Sequence, residues 1–163
     1  MKNIRPSIRE KVHGPHLMSE SLTVSGLVRN PGTIPYDTLA AMKQVSVEGY
    51  NLHWGSGRIK DAPRVLTGVL LRDVLDEADI ILDSHEDPGT MYVVATGNDG
   101  YRALFSWHEL FNGPGGEGVL VILARDGIAL GPEDGRLMLA SVRDERTGPR
   151  QVRYLSSVDV RSL

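Results

Sequence analysis

The chain of 163 residues contains no cysteine. That absence excludes disulfides, thiolate metal ligands and cysteine nucleophiles, and it leaves the redox compartment unreadable. Long apolar runs are also missing. None approaches the roughly 18 residues that a membrane span requires, so no membrane span is expected. The first twenty residues are polar, are broken by Pro6 and Pro15, and lack the apolar core of a secretory signal. The sequence as given therefore reads as cytoplasmic, with a periplasmic or exported protein as the alternative if a signal has been removed. Nor is there an excess of positive charge. A net charge of -3 argues against a nucleic-acid partner, which needs a basic face to neutralise phosphates.

What remains is the composition of an ordinary globule, 40% hydrophobic and 24% charged, of a length that suits one core. A loose arm over residues 1–20 and a single domain over 21–163 are expected. Within the arm, His13-Gly14-Pro15-His16 has metal-like spacing, but Gly-Pro prevents the helix that would align the rings. Charge is uneven. Asp73 to Asp99 holds eight acids and no Lys or Arg, while Ser141 to Leu163 holds five arginines against three acids. Solvated faces explain this most simply; an anion pocket in the arginine-rich part is the sharper alternative.

The most informative stretch is Met91 to Glu109. Met91 to Thr96 reads as a buried strand, and Asn98-Asp99-Gly100 as a hairpin turn. Tyr101 to Phe105 reads as the returning strand. Ser106-Trp107-His108-Glu109 fits a capping box at a helix start. Upstream, Leu22 to Val28 alternates as a strand and Asn30-Pro31-Gly32 turns. Ile34 to Met42 reads as a short helix, with Thr33 as a possible cap and Pro35 in its first turn. Val45 to Tyr50 is a short strand that leads into Asn51-Leu52-His53-Trp54-Gly55-Ser56-Gly57. That loop either edges a pocket or has Trp54 covering the core and His53 facing water. Leu70, Leu71, Val74, Leu75 and Ala78 form one helical stripe, with Asp73, Asp76 and Glu77 on the solvated face. Asn112 to Gly118 is glycine-rich but lacks the GK[ST] ending of a phosphate loop. Val119 to Ala124 reads as a central strand covered on both faces, with a turn at Arg125-Asp126-Gly127. Leu137 to Val142, Gln151 to Tyr154 and Ser157 to Val160 complete the strands. Many strands with two or three short helices predict an α+β fold of mixed or antiparallel, multi-layer sheets.

Five of these pieces, in order, resemble one family: Leu22–Val28 with Asn30-Pro31-Gly32; Gly68–Leu75; Asp99-Gly100-Tyr101 with Phe105-Ser106; Ala124–Leu130 with Gly135–Leu139; and Arg150–Leu155 leading to Val158-Asp159-Val160. The resemblance is to the molybdopterin-binding domain of the sulfite oxidase family in its small standalone form, and it spans about residues 20 to 163. It implies a pterin or molybdopterin ligand. Asp99 would accept from the pterin amino group, and Tyr101, Tyr50 or Trp54 would stack on the ring. Arg143, Arg150 or Arg153 would hold a phosphate, and Asn51 and His53 would line the pocket mouth. Family enzymes bind molybdenum through a cysteine in the region matched by Val47 to Asn51, at Val47, Glu48 or Gly49. This chain has none, so no cysteine-ligated molybdenum is expected. A pterin-binding or sensing protein is the leading reading. The alternatives are a molybdenum oxidoreductase with His53 or Glu48 as ligand, and a cofactor-free module that binds a protein partner.

Overall fold

Alternation of apolar and polar residues makes β1 (Ser21–Gly26) a strand with Leu22 and Val24 turned into the core. The structure, a computed structural model, describes residues 15–50 and 64–163, with the side chains of Gly49 and Tyr50 outside that description. His13, Asn51, His53 and Trp54 lie outside the described residues. β1 ends at Gly26, whose φ of +90 and close approach to Val160 leave no room for a side chain. The strand is thus shorter than the expected Leu22–Val28, and Val28 makes only an isolated bridge to Ile80. Leu17 and Ser19, in the stretch read as an arm, are buried.

β2 (Gly32–Pro35) pairs antiparallel with β1 and takes residues expected in a helix. The helix α1 is correspondingly shorter, Tyr36–Ala41, with Pro35 as its N-cap. Proline has no N–H to donate, and a sheet edge tolerates that loss. β3 (Val45–Tyr50) pairs with β4 (Arg64–Leu70), a strand absent from the sequence reading. Val69 and Leu70 belong to β4, so α2 begins at Leu71 and runs to Ala78, burying Leu71, Val74, Leu75 and Ala78. β5 (Met91–Gly97) and β6 (Arg102–Ser106) form the expected hairpin. α3 (Trp107–Phe111) follows with the capping box complete.

β7 (Val119–Arg125) is the central strand of its sheet. Val119, Val121 and Leu123 face the main core, while Leu120 and Ile122 face a second apolar cluster. Coverage of both faces explains the unbroken apolar run. Asp126 and Gly127 both have positive φ, the requirement of a primed two-residue turn, and lead into β8 (Ile128–Ala129). β9 (Met138–Ser141) also pairs with β7. Gln151 to Tyr154 is not a strand. Val152 bridges Leu139, and buried Tyr154, with φ +54, breaks the extended path before β10 (Leu155–Ser162).

Among the described residues two sheets result, ordered β2-β1-β10-β5-β6 and β3-β4-β7-β8 with β9 on β7. The first is mixed, because β1 and β10 run parallel; the second is antiparallel. The main core draws on both sheets and all three α-helices. This is the α+β, multi-layer arrangement with short helices that the strand count predicts.

Gly68 sits where β4 shifts register against β7, and a Cβ there would lie 2.0 Å from the Val121 carbonyl oxygen. Gly68→Ala should destabilise the protein by about 2–3 kcal/mol through forced backbone separation. Urea unfolding measures it, and a loss below about 0.5 kcal/mol, the size of an ordinary surface change, would contradict the close packing.

Candidate functional site

The β5–β6 turn and the segment from Arg143 to Arg153 are held together by local chemistry. Asp99 Oδ1 accepts the Tyr101 amide at 3.0 Å, an Asx turn that closes the hairpin. Asp99 is half-buried, and its Oδ2 takes no hydrogen bond among the described residues. The Tyr101 hydroxyl donates to the Pro149 carbonyl. The Asn98 amide donates to the Tyr154 carbonyl at 2.8 Å, and Gly97 packs so closely on the Arg153 carbonyl that a Cβ would come within 2.3 Å. Asp99, Tyr101, Arg150 and Arg153 are thus drawn to one end of the first sheet.

Arg150 is the centre of this region. Its Nε and Nη2 bond Asp144 in a fork, at 2.8 and 2.7 Å. Its Nη1 reaches Glu109 Oε1 at 2.8 Å and the Leu104 carbonyl at 3.3 Å. The guanidinium also lies 4.4 Å from the centre of the Phe105 ring. Ser141 orients Asp144 by donating to its Oδ1 at 2.9 Å. Glu109 serves two structures at once: Oε1 holds Arg150, while Oε2 accepts the Ser106 amide at 2.7 Å as part of the α3 cap. Burial opposes the charge of both carboxyls. Even so, the bonds they receive, from Arg150 and Ser141 at Asp144 and from Ser106 and Arg150 at Glu109, hold each below its ordinary value. The bonds to Asp144, and after them Glu109, make Arg150 a still weaker acid than usual, against the effect of burial.

Arg143 stands beside this cluster. It bonds the Pro114 carbonyl, and Glu117 at 3.2 Å, in the turn Pro114–Gly118. Arg143, Asp144, Glu109 and Phe105 line a cavity of about 170 Å³ together with Arg150. Asp99, Tyr101 and Arg153 are not among its lining residues. The sequence reading singled out Arg143 and Arg150 but missed the acids that neutralise them. Glu109 was visible only as a capping residue, and Asp144 only as one acid in an arginine-rich tail.

A family model described as the oxidoreductase molybdopterin binding domain matches residues 13–162. The chain belongs to this family. No curated protein matches the sequence. Among solved structures, the sulfane dehydrogenase SoxCD from Paracoccus pantotrophus is similar, with a TM-score of 0.62 and 17% identity. The alignment covers 86% of this chain and 37% of that one, and it shows a shared fold. In this molybdopterin-binding domain, Val47 and Glu48, which the sequence resemblance sets against the family's ligand cysteine, lie in the middle of β3. Val47 packs against the second apolar cluster, Glu48 is exposed, and the pairing with β4 shifts between Val47 and Tyr50.

Replacing Arg150 by Met should cost about 2 kcal/mol at pH 7, since two part-buried carboxylates lose charge-assisted bonds. Asp144 carries most of this, because Glu109 is more open to solvent. The carboxyls titrate lower in the folded than in the unfolded chain. Their contribution is therefore complete above the ordinary carboxyl values of about 4 and fades as pH falls through the lowered folded values. Urea unfolding of the two proteins should show a gap at pH 7 that narrows towards pH 3; a constant gap would contradict the pairing.

Proposed function

We propose that this domain binds a pterin, or molybdopterin, without a cysteine-ligated molybdenum, and that it acts as a binding or sensing protein. The observation that carries the reading is a family match over residues 13–162 in a chain of 163 residues with no cysteine. The donor chemistry argues against the metal-bearing form. The thiolate is absent from the whole chain. Carboxylate and imidazole are hard replacements for a soft thiolate.

Asp99 supports recognition of the pterin ring, because its uncommitted Oδ2 suits the ring's amino group. Tyr101, Tyr50 or Trp54 supplies the stacking face, and Asn51 and His53 the pocket mouth. Arg143, Arg150 or Arg153 is assigned to a phosphate, but Arg150 must exchange a carboxylate for it. That exchange favours a ligand read through its ring over one read through its phosphate. The same pairing supports a second reading, a domain that kept the fold, fills its basic pocket with its own acids, and binds a protein partner.

Protein purified from its native host, then denatured, should release a fluorescent pterin and no molybdenum. Asp99→Ala should lower the amount of pterin retained about ten-fold, the effect of one charged hydrogen bond of roughly 1.4 kcal/mol. Released molybdenum in stoichiometric amount would return the domain to the enzymes. Release of nothing, with no binding on titration with pterin, would leave the interaction module.

A further inference from the structure

A second concavity, of about 530 Å³, shares no lining residue with the cavity beside Arg150. Its volume falls in the range of about 300–1,000 Å³ typical of small-molecule sites. Val24, Ile34, Met42 and Ala78 supply an apolar floor, and Val24 and Ala78 are themselves core residues. The walls come from the turn after β1, the end of α2 and the end of α1. The turn after β1 is tied to the end of α2 by the Asn30 amide, which donates to the Ala78 carbonyl at 3.0 Å, and by Asn30 Nδ2, which donates to the Glu77 carbonyl at 3.3 Å. The end of α1 is closed by Gln44 Nε2, which donates to the carbonyls of Leu39, Ala40 and Met42 at 3.0–3.3 Å. The Cβ direction of Gly32 points into open space. Hydrogen-bonded backbone thus frames the concavity at the β1–β2 turn and at the end of α1.

Its electrostatics have one sign. Glu77 lines the pocket, and its carboxylate has no hydrogen bond or ion pair among the described residues. The last turn of α2 contains no basic residue; its Glu77 and Ala78 carbonyls are taken by Asn30, and Arg29 pairs with the C-cap Asp79 at 3.7 Å, which leaves the Glu77 carboxylate as the charge on the pocket lining. Burial first, and Asp73 after it, push the neighbouring Asp76 carboxyl up, with Arg72 opposing and Glu77 adding a smaller push. Arg72, the cation of that helix, is directed to Glu117 at 3.9 Å.

We propose that this pocket binds an amphipathic organic cation. The alkyl or aryl part lies on Val24, Ile34 and Met42, and the ammonium group lies against the Glu77 carboxylate. Neutral and anionic compounds of the same apolar size bind less well, because the floor attracts all three while the rim favours only the cation.

The test uses the full chain, methyl-labelled at methionine, and follows Met42 by NMR. The probes are n-octyltrimethylammonium, n-octyl sulfate and n-octyl glucoside, each below its micelle concentration. The ammonium probe should give a saturable shift at Met42, about five-fold tighter than the glucoside, the effect of one ion pair of about 1 kcal/mol at a partly exposed site. The sulfate should be weaker still. Glu77→Gln should bring the ammonium probe to the affinity of the glucoside, and Ala41→Trp should block all three. Equal affinity for the three probes, no saturable shift at Met42, or indifference to Glu77→Gln overturns the proposal. So does a pocket that responds to a lysine-rich apolar peptide but not to the small cation.

Discussion

β10 is gripped from both sides. Val158 faces Val24 of β1 in parallel register and Ala95 of β5 in antiparallel register. The strand nearest the end of the chain thus joins the first strand to the hairpin. The contact is intimate, since Gly26 lies where a Cβ would meet the Val160 carbonyl at 2.1 Å. Much else hangs on this pairing. It sets Tyr154 at the head of β10, where the Asn98 amide donates to its carbonyl at 2.8 Å and the Ser19 hydroxyl at 3.3 Å. The strained, fully buried Tyr154 is tolerated because Gly135 leaves room for its ring and backbone. Partners more than 130 residues apart must find one another first, so folding of the first sheet is governed by non-local closure.

The region around Arg150 depends on that scaffold, because β6 and α3 on one side and the Asp144–Arg150 loop on the other meet only once the sheets are assembled. Its arginines are neutralised within the protein: Arg150 meets two carboxylates, one more than its charge requires, and Arg143 pairs with Glu117. A ligand that used these arginines would have to replace protein carboxylates, whereas one read by Asp99 would not.

Local signals were read well where the chain itself enforces them. The hairpin at Asn98–Gly100, the Ser106–Glu109 capping box, the Asp126-Gly127 turn and the doubly covered β7 all follow from residues adjacent in sequence. The reading failed where tertiary partners decide. Arg64 to Thr67 has little pattern of its own and becomes a strand because β3 and β7 flank it. Gln151 to Tyr154 looks extended but is bent by the left-handed Tyr154. The five-motif resemblance carried the fold, but not the electrostatics. No spacing rule joins Arg150 to Glu109, 41 residues away, or brings α1, α2 and the β1–β2 turn around one hollow.

The Leu104 carbonyl gives one of these bonds a further meaning. β6 is an outer strand of its sheet, and Leu104 is a large apolar residue 54% exposed on it. The Gly97 amide bonds the Tyr101 carbonyl, so by alternation Ala103 and Phe105 direct their backbone groups to β5 and Leu104 directs its own outward. An unguarded outward carbonyl beside an exposed leucine invites a foreign strand. Here it is occupied by a guanidinium that two carboxylates hold in place. A chain adding to this border would compete with Arg150 for the Leu104 carbonyl, so the same charge cluster that ties the loop to α3 also caps one acceptor on the sheet's edge.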